Sequence, residues 1–238
     1  VEVMAGRSEP GERELWEEAH ERGVPTYYVA SLQRALKPAA DIVAGTAIYK
    51  QIRKGHYDIV HTHISKAGIL GRLAAKCAGV PVVHTYHGRI EEVHDGSLRS
   101  RILLGCERLA AKITDRFVAV SEYTAKLSLD KGIGAANQYQ VIHNGIDWSF
   151  FQDYEASGDL PVELVGKTLL GTIGSLTAEK GHDVLLQAMA RIAERYPDVQ
   201  LCIVGDGPLR PHLQDMARDL ELQHRVWFTG NLSDVRPW

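Results

Sequence analysis

The feature that most constrains this 238-residue chain is a repeated switch of hydrophobic period. Short β-branched runs such as "YDIVHTH", "VPVVHTYHG", "DRFVAVS" and "VQLCIVGDG" alternate with longer stretches of helical period such as "AADIVAGTAIYKQIRKG" and "KAGILGRLAAKCAG". Strand following helix in strict alternation predicts a parallel sheet. Runs that are apolar almost throughout suit strands covered on both faces. In the second helix Ile42, Ala47, Ile48 and Ile52, and in the third Ile69, Leu70, Leu73, Ala74 and Cys77, recur at the spacing of a buried stripe.

The pattern weakens after Phe151, where "QDYEASGDLPVELVGK" is polar and lacks a period, and then restarts at "KTLLGTIGSL". The expected organisation is therefore a Rossmann-like domain over residues 1–151, a linker over 152–166 and a second Rossmann-like domain over 167–238. The opening "VEVMAG" reads as a strand already under way, and "NLSDVRPW" follows directly on the strand-like "RVWFTG", so both ends look cut.

Composition excludes several classes. Hydrophobic residues at 45% and charged residues at 24% are ordinary for a folded domain. A net charge of -3, with Lys and Arg scattered, argues against a nucleic-acid partner. Cys77, Cys106 and Cys202 are odd in number, far apart and without a Cys-x-x-Cys spacing, so neither a disulfide framework nor a zinc ribbon is indicated. No apolar run reaches the ~18 residues of a membrane span. The expected compartment is the reducing cytoplasm.

Chemistry concentrates at strand ends. His61, His63, His84 and His87 fall near the carboxyl ends of two neighbouring strands, where open α/β sheets bind ligands. The reading places His61 and His63 on opposite faces, and the nearest acids, Glu91, Glu92 and Asp95, lie in the loop beyond. That donor pattern disfavours a metal site. A ligand-facing histidine, with the others hydrogen-bonded in the structure, fits better. Ser121 is expected to cap a helix, Asp147 to open one, and Pro208 to occupy a first helical turn. In "GTIGSLTAEKGHDVLLQA", Lys180-Gly181 sits at the mouth of a helix, which suits an anion site and equally a solvated lysine. Gly205 and Gly207 lack the third glycine of a dinucleotide fingerprint.

Six stretches in order, "DIVHTHISKAGILGRLAAKCAGVPVVHTYHG", "RFVAVSE", "VIHNGIDWSFF", "GTIGSLTAEKGHDVLLQA", "LCIVGDGPLRPHLQ" and "RVWFTGNLSD", resemble the retaining glycosyltransferases of family 4. The resemblance covers nearly all the chain. It implies the glycosyltransferase B (GT-B) architecture of two Rossmann-like α/β domains with parallel sheets, the second incomplete here. It also implies transfer of a sugar from a nucleotide-sugar donor, UDP-linked, to a glycan or lipid-linked acceptor of the cell envelope. Configuration is retained, and neither metal nor cofactor is bound. By position, His87 corresponds to the histidine at the donor sugar. Gly174, Ser175, Lys180 and Gly181 correspond to the diphosphate loop, Leu232 and Asp234 to the segment around the nucleobase, and Ser65 and Lys66 to the acceptor-side loop. Ser175 stands where the family often has arginine. The family's glycine-rich loop and its pair of glutamates seven residues apart are not found within these residues. A non-catalytic nucleotide-sugar-binding module, or an epimerase or hydrolase on the same architecture, remains the alternative. Arg99, Arg101, Arg108 and Lys112 beside an apolar helix face raise the further expectation of peripheral contact with the inner membrane face.

Overall fold

The structure is a computed structural model that describes residues 1–6, 15–33, 35–63, 65–88, 97–152, 160–232 and 234–236. The chain divides into two compact units, Val1–Gly145 and Ile146–Trp238.

In the first unit, β1 (Val3–Ala5), α1 (Trp16–Glu21) and β2 (Thr26–Tyr28) precede the long helix α2 (Pro38–Gly55). Then follow β3 (Val60–His63), α3 (Ser65–Ala78), β4 (Val82–Tyr86), α4 (Leu98–Ala111), β5 (Arg116–Ala119), α5 (Glu122–Asp130) and β6 (Tyr139–Val141). β1 and β2 form a two-stranded parallel sheet, and β3-β4-β5-β6 a four-stranded one that is parallel throughout. The expected parallel pairing is thus present. One core cluster joins Val29 to Ala44, Ile48 and Ile52 of α2, to Ala74 and Ala75 of α3 and to Val82 of β4.

Caps fall where the side chains dictate. Ser121 Oγ accepts the Thr124 N–H at 3.1 Å and starts α5, and Ser97 does the same for α4 through Ser100.

The second unit opens with α6 (Trp148–Gln152), whose start is fixed by Asp147: its Oδ1 accepts from Ser149 Oγ at 2.6 Å and Phe150 N–H at 3.3 Å. After it come β7 (Thr168–Ile173), α7 (His182–Ala193), β8 (Val199–Val204), α8 (Arg210–Asp219) and β9 (Val226–Gly230), with a parallel sheet in the order β7-β8-β9. β8 is buried along Gln200–Val204, as a strand covered on both faces should be. The core gathers Leu176, Leu186, Met189, Leu201, Ile203, Leu213 and Leu222.

Three sequence expectations change. The division between units falls before α6, because Arg236 holds α6 to the second unit. Its Nη1 donates to the Phe150 carbonyl at 3.1 Å, and its guanidinium carbon lies 3.9 Å from the Phe150 ring centre. Of the expected linker, residues 153–159 lie outside the described residues. α8 begins at Arg210 with Pro211 in its first turn, so Pro208 lies in the preceding turn. The apolar stripes are only half covered: Ile48, Ile52 and Ala74 are buried, whereas Ile42, Leu73 and Cys77 are exposed.

Candidate functional site

The first unit gathers histidines at the carboxyl ends of β3 and β4. Residues two apart on a strand share a face, and His61 and His63 do so, with ring centres 4.3 Å apart. This corrects the expectation of opposite faces, which ignored the two-residue repeat. His63 Nδ1 and His87 Nε2 lie 2.8 Å apart in a ring-to-ring hydrogen bond, and His61 Nε2 meets Thr85 Oγ1 at 2.7 Å. His63 and His87 therefore face each other and share a proton; they do not converge on a common cation. Among the described residues no three His, Cys, Asp or Glu side chains are arranged to hold a metal ion. Burial first, and the neighbouring histidines second, hold His61 and His63 below the usual imidazole range.

Beneath them His84 is fully buried, with Nδ1 2.8 Å from Thr62 Oγ1. Gly68 of α3 makes room for it, since a β-carbon there would lie 2.4 Å from the His84 ring. Burial, then the Arg72 guanidinium, push the imidazole down to about 2, so it is neutral when folded. In the unfolded chain it takes a proton near 6.5. The unfolded state therefore binds more protons as pH falls below 6.5, and folding weakens in that window by up to about 1.4 kcal/mol per pH unit. His61 and His63 act in the same direction. Urea titrations at neutral pH and about one unit below 6.5 should show this loss, and His84→Gln should flatten the slope.

Sequence reading missed the network under this cluster. Arg72 of α3 and Glu107 of α4 are both buried, with Nη2 and Oε2 2.6 Å apart, and Tyr86 donates its hydroxyl to the same carboxylate oxygen at 2.8 Å. Arg72 Nε also donates to the Gly68 carbonyl at 3.0 Å. Tyr86 precedes His87 directly, so the network anchors the strand end that carries it. The available signal was one arginine among the small and apolar residues of α3.

Lys66 has a structural task. Its ammonium pairs with Asp41 and donates to the carbonyls of Gln33 and Ala35, pinning the approach to α2. Ser65 opens α3 beside it.

In the second unit β7 and β8 are each followed directly by a glycine, Gly174 and Gly205, and β9 ends in Gly230. Gly174 N–H donates to Val204 O at 2.9 Å, and Gly205 N–H to Gly230 O at 2.9 Å. A β-carbon on Gly205 would lie 2.1 Å from the Gly174 carbonyl oxygen, and one on Gly207 2.7 Å from the Leu176 backbone. The Gly-Asp-Gly motif thus serves close loop packing. Leu176 N–H donates to Asp206 O at 3.0 Å, Leu209 N–H to Leu176 O at 3.1 Å, and the Leu176 side chain is fully buried.

This frame carries Lys180. After the turn Ala178–Lys180, Gly181 takes φ 66° and starts α7. The Lys180 stem lies across Gly174, its Cδ and Cε 4.0 Å from where a β-carbon would be. The ammonium is exposed and has no ionic partner among the described residues. Ser175 Oγ lies 3.3 Å from Thr177 Oγ1. Gly174, Ser175, Lys180 and Gly181 are therefore brought together, with free amides at the start of α7 close by.

Leu232 and Asp234 lie beyond β9, at the other edge of the sheet from β7. Asp234 accepts from Arg236 Nε at 2.9 and 3.0 Å and from Nη2 at 2.6 Å, which holds its carboxyl below the usual range. Its charge secures the Arg236 staple to α6.

Comparison with known proteins follows this division. The family profile "Glycosyltransferase Family 4" matches residues 1–150, and "Glycosyl transferases group 1" matches residues 162–238. A UDP-Gal:alpha-D-GlcNAc-diphosphoundecaprenol alpha-1,3-galactosyltransferase of Escherichia coli is 32% identical over 220 residues, covering 89% of this chain and 57% of that protein. A phosphatidyl-myo-inositol mannosyltransferase of Mycobacterium tuberculosis is 29% identical over 225 residues, with 90% and 57% covered. The chain thus spans 57% of the length of these relatives. The crystal structure of Anabaena Alr3699/HepE in complex with UDP and glucose superposes with a TM-score of 0.74 at 19% identity, over 93% of this chain and 60% of that one. That likeness is one of fold.

Proposed function

Because the chain belongs to glycosyltransferase family 4, we propose that it serves the transfer of a sugar from a nucleotide-sugar donor to a lipid-linked or glycan acceptor, with retention at the anomeric carbon. UDP is the proposed nucleotide, in line with the UDP-Gal in the name of the Escherichia coli relative and the UDP in the Anabaena complex. The lipid-linked acceptor follows the diphosphoundecaprenol and phosphatidyl-myo-inositol in the relatives' names.

The observation that carries this reading is the Lys180 stem laid over the glycine end of β7, with its ammonium unpaired beside the start of α7. When the bond from sugar to diphosphate breaks, negative charge builds on the leaving oxygens. A fixed ammonium and backbone N–H groups stabilise that charge as it develops. His87, which the family position assigns to the donor sugar, is held by His63 and can fix the sugar's orientation.

Ser175 supports the alternative of a module that binds the nucleotide-sugar without turning it over, because a hydroxyl supplies no second cation. We expect weak binding of uridine diphosphate, on the order of millimolar or about -4 kcal/mol. Lys180→Ala should reduce it roughly tenfold or more, the worth of one charge-assisted hydrogen bond, and Ser175→Arg should raise it by about tenfold. Calorimetric titration checks both. Binding unchanged by Lys180→Ala would overturn the phosphate role. Sugar release or transfer from UDP-sugars by the same protein separates the enzyme from the binding module.

A further inference from the structure

We propose that His63 is the positioning residue of the histidine cluster: it fixes the proton of His87 on Nε2, so that His87 turns a bare Nδ1 outward as the acceptor for a hydroxyl of the donor sugar. The sugar contact rests on the nucleotide-sugar reading above. The position of the proton does not.

The strand register builds the pair. His61 of β3 lies opposite Val83 of β4, and His63 lies opposite Thr85. Each side chain reaches two residues further along than its register partner: His61 Nε2 meets Thr85 Oγ1 at 2.7 Å, and His63 Nδ1 meets His87 Nε2 at 2.8 Å. His61 and His63 thus work on one face of the sheet, whereas Thr62 between them meets His84 on the other, with Oγ1 and Nδ1 2.8 Å apart. The His63 ring is steadied by neighbours at 4.3 Å, His61, and 5.1 Å, His87, between ring centres. Tyr86, bonded to the buried Glu107, fixes the backbone from which His87 projects.

A hydrogen bond between two imidazole nitrogens needs one N–H and one bare nitrogen, and a neutral ring carries a single proton. Two arrangements satisfy this. In the first, His87 Nε2–H donates to His63 Nδ1, and both rings hold their proton on Nε2, the more stable form of a free histidine side chain. In the second, His63 Nδ1–H donates to His87 Nε2, and both rings hold it on the less stable Nδ1. That form is normally selected when a carbonyl or carboxylate accepts the Nδ1–H. His87 Nδ1 has no such acceptor among the described residues, so the first arrangement wins. A bare Nδ1 accepts from a hydroxyl, whereas ionised diphosphate oxygens have no proton to offer it. It therefore reads the sugar and not the nucleotide.

The test has two arms. Long-range proton–nitrogen NMR at mildly alkaline pH, on protein with isotope-labelled histidine and with the His87 signal assigned through His87→Gln, should show a protonated Nε2 and a bare Nδ1. His63→Asn, whose side-chain carbonyl can still accept, should keep that signature. His63→Phe, which keeps a ring and removes the acceptor, should give a mixture of both forms. In calorimetric titration His63→Phe should weaken UDP-glucose about fivefold, the worth of one neutral hydrogen bond, His63→Asn should restore it, and neither should change UDP. A His87 protonated on Nδ1, or a signature indifferent to His63→Phe, would overturn the proposal. So would a His63→Phe variant that weakens UDP and UDP-glucose alike, or neither. If the ring signature is as expected but the wild type binds neither ligand, the nucleotide-sugar reading fails and takes the sugar contact with it, while the assignment of the proton stands.

Discussion

Glu107→Ala is expected to destabilise the first unit by about 3–5 kcal/mol, a large part of the 5–15 kcal/mol that typically holds a domain together. The variant leaves the Arg72 guanidinium, 0% exposed, without its counter-ion and removes the acceptor of the Tyr86 hydroxyl. A buried cation cannot recover hydration, so the penalty is that of an uncompensated charge. The intact pair is itself imperfect, because Arg72 Nη1 and Glu107 Oε1 find no hydrogen-bond partner among the described residues. The double variant Arg72→Met, Glu107→Leu should therefore recover most of the loss. Urea unfolding of the three proteins checks this. A single variant within about 1 kcal/mol of wild type would show that the pair does not form as described. The consequence reaches the site, since Tyr86 fixes the strand end from which His87 reaches His63.

What could be read in advance follows from how local each signal is. The alternation of period two and period near 3.6 is written into consecutive residues, so the parallel α/β character was legible, as were the caps at Ser121 and Asp147. The burial of Arg72 was not, because its counter-ion lies 35 positions away on another helix. A hydrophobic stripe shows which way a helix face points but not whether anything covers it. Hence Ile48 and Ile52 are core residues, whereas Ile42 and Leu73 line an open groove. Lys66 and Asp234 were assigned by position in a motif. Their side chains are held by Asp41 and Arg236, partners that no spacing rule identifies. Lys180 was legible as a cation at a helix mouth. Its contact across Gly174 needed the fold.

Gly205→Ala is expected to disrupt the second unit by about 2–6 kcal/mol, combining backbone strain with overpacking. Gly205 has φ 132°, where an L side chain is strained whatever the space around it. Here the space is also missing, as the new β-carbon would sit 2.1 Å from the Gly174 oxygen and 2.9 Å from its carbonyl carbon. Both atoms belong to backbone and cannot swing aside as a flexible side chain would. Relief requires the β7 end to move, and that end carries Ser175 and the surface on which the Lys180 stem lies. Stability and nucleotide binding should therefore fall together. Gly174→Ala provides the contrast: its β-carbon would meet only the Lys180 Cδ and Cε at 4.0 Å, an ordinary contact, and no positive φ is involved. It should change stability by less than about 1 kcal/mol. Thermal melts and uridine diphosphate titrations of the pair decide the matter. Equal melting temperatures for the two variants would show that the strand ends are not packed glycine on glycine, and the phosphate loop would lose the support argued for it.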